Sequence, residues 1–202
     1  MPKIRAENIE RHKVLTRNML LDAAELVLSR QEYAGASLSL IADTAGIPRT
    51  TVYEYFGNKD ELLVAVLEDR VPPIVDEVVA GLSDRDPAAR IELIFDRLLT
   101  AFAERPSAGR VVFWVRRRLP TWGIERVDLV LAPIRDQLAD ALTDGIDQGV
   151  FADRELDSSV TMVFDLLMGG AEIVLASGGN ADIVRSEVGL RSSLVVRGLS
   201  AR

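Results

Sequence analysis

Apolar residues recur along this chain at i, i+3 and i+4 almost throughout, and a two-residue alternation never persists. The pattern predicts an all-α protein. A first helix is expected from Glu10 to Arg30, with Leu20, Ala23, Ala24, Val27 and Leu28 on one face. Gly35 and Ser37 interrupt it. A short second helix follows from Leu38 to Thr44, with Ser37 placed to cap its free amides. Gly46 supplies a sharp turn, and a third short helix runs from Pro48 to Tyr55, with proline in its tolerated first turn. A fourth opens at Asn58, with Glu61 at its third helical position, and carries Leu62, Leu63, Val66 and Leu67. Pro72-Pro73 ends or kinks that helix, Val75, Val78 and Val79 continue an apolar segment to Gly81, and residues 82–87 read as a loop. Further helices are predicted near 88–104, 109–119, 133–148, 157–177 and 181–199. Pro133 marks either a first turn or a kink in a longer helix that begins near Glu125.

One block stands out. Residues 37–63, SLSLIADTAGIPRTTVYEYFGNKDELL, place two short helices around a glycine turn, with Ile41 and Val52 set to pack them together and Ala42 small enough for close approach. The second helix of the pair carries Arg49, Thr50, Thr51, Tyr53 and Tyr55. A helix meant only for burial would not display that set. A helix entering a major groove needs it, because base edges are read by side-chain donors, acceptors and methyl groups.

From Arg17 to Leu67, about a quarter of the chain, the sequence resembles the DNA-binding region of the TetR family of bacterial transcriptional regulators. The similarity lies in RNMLLDAA (17–24), ASLSLIADTAGIP (36–48) and TTVYEYFGNKDEL (50–62). The resemblance implies an N-terminal three-helix helix-turn-helix domain, residues 1–62, followed by a helical ligand-binding and dimerisation domain, residues 63–202. It implies that Arg49, Thr50 and Thr51 meet bases, with Arg49 suited to guanine O6 and N7. It places Tyr53, Tyr55 and Lys59 beside phosphates, Lys59 together with the positive end of the fourth helix. Ser39 would add a base or phosphate contact. Two residues depart from the family pattern: Glu54 stands where an aromatic is common, and Pro48 where serine is usual. The first puts a carboxylate near DNA unless it faces cytosine N4 or solvent, and the second changes the cap alone.

Composition changes the picture in three places. The net charge of −7 disfavours indiscriminate binding to DNA, but residues 1–60 are balanced, with eight basic and eight acidic side chains, and hold all three lysines. The N-terminal stretch with Lys3, Arg5, Arg11, Lys13 and Arg17 is either a disordered tail or an arm that enters a minor groove. The chain has no cysteine and one histidine, His12, so thiolate metal sites, disulfides and histidine clusters are excluded, and no catalytic, metal or cofactor site is expected. No apolar run approaches the length of a membrane span and the first twenty residues lack a secretory signal, so a cytoplasmic protein without a membrane partner is expected.

The second half carries two long apolar stripes. One contains Val160, Val163, Phe164, Leu167, Ala171, Val174 and Leu175. The other contains Val184, Val188, Val195 and Leu199, with Ile183, Leu190 and Leu194 beside it. The resemblance implies a homodimer through these last two helices, and Gly169-Gly170 would permit close helix approach. It also implies a pocket for a small apolar or amphipathic effector among the middle helices, where Phe95, Leu99, Phe102, Phe113, Trp114 and Trp122 are the candidate walls. Arg116-Arg117-Arg118 is either an attractor for an anionic group or a solvated face. The function implied is a sequence-specific DNA-binding repressor, released from a palindromic operator by its effector. An activator, or a regulator without an effector, is the alternative.

Overall fold

A computed structural model describes the backbone of residues 2–31 and 33–201 and the side chains of residues 9–31 and 33–201. Among the described residues there are ten helices and no strand. They are α1 (Pro2–Arg30), α2 (Leu38–Ala45), α3 (Arg49–Tyr55), α4 (Lys59–Arg70), α5 (Pro72–Val79), α6 (Pro87–Glu104), α7 (Pro106–Arg118), α8 (Thr121–Asp147), α9 (Leu156–Ala176) and α10 (Ala181–Leu199).

The helix ends follow local chemistry. Ser37 accepts a hydrogen bond from the Leu40 amide and Asn58 from the Glu61 amide, while the Glu61 carboxylate turns back to accept from the Gly57 amide at 2.8 Å. Pro72 lacks the N–H that would continue α4, so α5 starts there after the single residue Val71. Pro133 lies inside α8. Of the two readings the sequence allowed, the longer helix is the one formed, because Leu131 and Ile134 on either side are locked into the core. It starts at Thr121, four residues before Glu125. Helix α1 extends back to Pro2 rather than starting near Glu10. Residues 9–15 of it are exposed, and the side chains of Lys3 and Arg5 lie outside the described residues.

Helices α1, α2 and α3 form the N-terminal unit, with α1 packed on α2 and α2 on α3. The body is built from α5 to α10 around Ile94, Phe95, Leu98, Leu99 and Phe102 of α6, Ile134 and Leu138 of α8, and Phe164 and Leu167 of α9, all fully buried. Helix α4 touches α1 on one side and α5, α7 and α8 on the others. All six residues from Leu62 to Leu67 are buried, as expected where the middle of a helix is packed between several others. Helix α9 is long and apolar enough to cross a membrane by length and composition, a point that a search for uninterrupted runs misses. Half of that apolar window is buried, with Val163, Phe164, Leu167, Ala171 and Val174 inside the fold.

The end of the chain is held at the α8–α9 corner. The Ala152 amide donates to the Leu199 carbonyl at 2.7 Å and the Ala201 amide to the Val150 carbonyl at 3.1 Å. Phe151, buried between, fills the space over Gly145, where a Cβ would lie 2.1 Å from the ring carbon Cδ2. Gly145→Ala is expected to lower stability by about 1–3 kcal/mol through this overlap, read as a lowered midpoint in urea unfolding, whereas the same change at the exposed Gly189 should not.

Candidate nucleic-acid interface

The N-terminal unit hides one face of each short helix and shows the other. Leu38, Ile41 and Ala42 of α2 are buried, as is Val52 of α3, and Phe56 closes the same cluster just past the end of α3. The turn between α2 and α3 requires a left-handed residue, and Gly46 takes it at φ 66° with its amide bonded to the α2 carbonyls. Pro48 is the cap of α3 rather than its first residue. Its extended backbone (ψ 138°) lets its carbonyl accept the first helical bonds from Thr51 and Val52.

With Val52 inward, helical geometry turns the remaining polar residues outward. Arg49, Thr50 and Tyr53 are exposed, Tyr53 at 54% of its surface, and Thr51 and Tyr55 are half-buried on the flanks. Ser39 on α2 is also half-buried, and Glu54 points to solvent. The structure thus brings Arg49, Thr50, Thr51 and Tyr53 together on one short helix.

Lys59 is placed differently from the others. Its Nζ donates to the Tyr33 carbonyl at 2.8 Å and sits 3.7 Å from the centre of the Tyr33 ring. Burial pushes its pKa down from the ordinary lysine value. The Tyr33 hydroxyl donates to Asp60 at 2.7 Å, and burial, reinforced by that bond, pushes its pKa up to about 12. The guanidinium of Arg118, at the end of α7, lies 5.7 Å from the same ring. Tyr33 therefore ties the α1–α2 loop to the start of α4 and to α7. The helical period gave no sign of it, because the residue sits in a loop and its partners are distant in sequence.

Helix α7 makes two further polar contacts with α1. Ser107 donates to Glu25 at 2.9 Å, and Arg110 donates to the Ser29 carbonyl at 3.2 Å. The effector-wall candidates separate into three groups. Phe95, Leu99 and Phe102 are fully buried in the core. Phe113 and Trp114 are half-buried and line a cleft of about 320 Å³ between α7 and α9. Trp122, 41% exposed at the start of α8, is not part of that cleft.

A helix pair joined by a glycine turn, with its apolar side sealed and its polar side open, mounted on an all-α body, has the architecture of a helix-turn-helix unit followed by a helical C-terminal domain. Residues 20–66 match the family described as "Bacterial regulatory proteins, tetR family". Over 99 residues the chain is 33% identical to an HTH-type transcriptional repressor of Streptomyces coelicolor, a stretch covering 49% of this chain and 48% of the relative. It is 34% identical over 103 residues to the HTH-type transcriptional activator FasR of Mycolicibacterium smegmatis, covering 48% and 45%. The chain thus spans about half the length of these curated relatives. The fold extends further: the crystal structure of FadR from Bacillus subtilis, in complex with stearoyl-CoA, superposes with a TM-score of 0.76 at 19% identity, covering 90% of this chain and 98% of that one.

Proposed function

We propose that this chain is a sequence-specific DNA-binding transcriptional regulator of the cytoplasm, a repressor that leaves a palindromic operator when a small amphipathic molecule binds its body. The observation that carries this reading is the outward set Arg49, Thr50 and Tyr53 on a helix anchored from behind by Val52. Arg49 and the two threonines meet bases, Tyr53 and Tyr55 meet phosphates, and Ser39 adds a contact from α2. Lys59 reaches a phosphate only by leaving Tyr33, so its first role is to hold the head together. Residues 1–62 act as the reading domain and 63–202 as the regulatory one.

Two copies pair through α9 and α10. Met162 and Ile173 of α9 and Leu190 and Leu194 of α10 are large apolar residues left 41–61% exposed, which suits a two-fold four-helix interface. Pairing sets the two α3 helices to read half-sites about 34–36 Å apart, or a multiple of that. The FadR structure holds stearoyl-CoA within the same fold, which supports an effector in this one. The similarity to an activator favours a second reading in which the same DNA contact recruits transcription instead of blocking it.

Selection of bound duplexes from a random pool is the test. A palindrome should emerge, and its affinity should fall with log salt at a slope of about −0.9 for each phosphate neutralised. Recovery of no preferred duplex would overturn the proposal. Transcription from a promoter carrying the recovered site then separates repression from activation.

A further inference from the structure

The effector site named in the proposed function has a more definite location and chemistry. We propose that the cleft between α7 and α9 binds a small organic carboxylate, with its anionic end between Arg110 and Arg117 and its apolar part against Phe113, Trp114 and Leu175. Four observations combine here. The aromatic residues of α6 are sealed in the core, while Phe113 and Trp114 remain half open. Both arginines line the same cleft as these rings. Arg117 is met there by the carboxylate of Glu172, an ion pair whose members are 58% and 46% exposed, so water already competes for it. Arg110 is shared, because its other contact is the Ser29 carbonyl at the end of α1.

A carboxylate in this cleft takes the place of the Glu172 side chain on Arg117 and gains Arg110 as a second donor. Charge-assisted bonds of this kind are the stronger ones in proteins. The apolar walls select a ligand with a hydrophobic body, and a volume of about 320 Å³ lies at the small end for ligand sites. Engagement of Arg110 draws it from Ser29, and α7 also carries Arg118 against Tyr33. The binding event therefore reaches two of the three polar contacts that hold the reading unit against α7, the third being Ser107 on Glu25. This coupling rests on the regulator reading, whereas the binding site does not.

Octanoate and its uncharged counterpart octanol are suitable probes. The chain has two tryptophans, so Trp122→Phe leaves Trp114 as sole reporter. Octanoate should shift Trp114 fluorescence, and octanol should do so about tenfold more weakly or not at all. In the same background Arg117→Gln should weaken octanoate about tenfold, and Glu172→Gln should tighten it several-fold by removing the competing carboxylate. A gain in affinity cannot come from a damaged fold. Equal responses to octanoate and octanol, no response to either, or weaker octanoate binding in Glu172→Gln would overturn the proposal. Fluorescence reads the cleft without DNA, so a protein that binds octanoate but no duplex would disprove the regulator and leave the site standing.

Discussion

Arg49→Ala will lower discrimination at one operator position by about 1–3 kcal/mol, roughly five- to 150-fold in relative affinity, while leaving nonspecific duplex binding largely intact. The residue is exposed at the first position of α3. Its backbone is fixed by the Pro48 cap behind it, and its side chain makes no contact that folding requires. Removing it should therefore subtract base reading and little else. Competition binding of the recovered operator, with each base pair changed in turn, reads this directly. A wild-type pattern of preferences would show that Arg49 touches only phosphate. Tyr53→Phe is the complementary variant, because loss of a phosphate bond should weaken all sequences alike.

Phe102→Ala will destabilise the fold by about 3–5 kcal/mol, which for a chain of 202 residues corresponds to a Tm lowered by roughly 10 °C. The ring is fully buried on α6, and a carbon added at Gly109 of α7 would lie 3.0 Å from its Cγ. Its loss leaves a cavity at the junction of two helices rather than a roomier ligand site. Thermal unfolding monitored by circular dichroism gives the measurement. A ligand-wall role would be indicated by an unchanged Tm. The comparison with Trp114→Ala is informative, since a half-open side chain beside the cleft should cost much less stability in the same thermal unfolding.

Much of the fold can be read from the chain because short-range rules set it. Ser37, Gly46 and Asn58 mark helix ends by bonds to residues three or four positions away, and Pro72 marks one by the N–H it lacks; such signals are visible in one dimension. The start of α1 is not legible, since the inward apolar face that marks this helix begins only at Leu20. At the interface, the outward set on α3 follows from the inward positions of Val52 and Phe56. The placement of Lys59 does not, because its partner Tyr33 is 26 residues away. Phe102 and Phe113 look alike in periodicity, which reports that a residue faces other helices but not whether the space is sealed. The separation of core rings from cleft rings therefore needed the packing of α6, α7 and α9.

Helix α4 is shared: the six consecutive buried residues from Leu62 to Leu67 serve the cores of both units at once. A boundary drawn after residue 62 on functional grounds would cut this shared element one turn from its start. The N-terminal unit and the body are thus not separable modules in the thermodynamic sense. They should melt as one, and a recombinant head ending there would carry a raw apolar stump in place of its foundation.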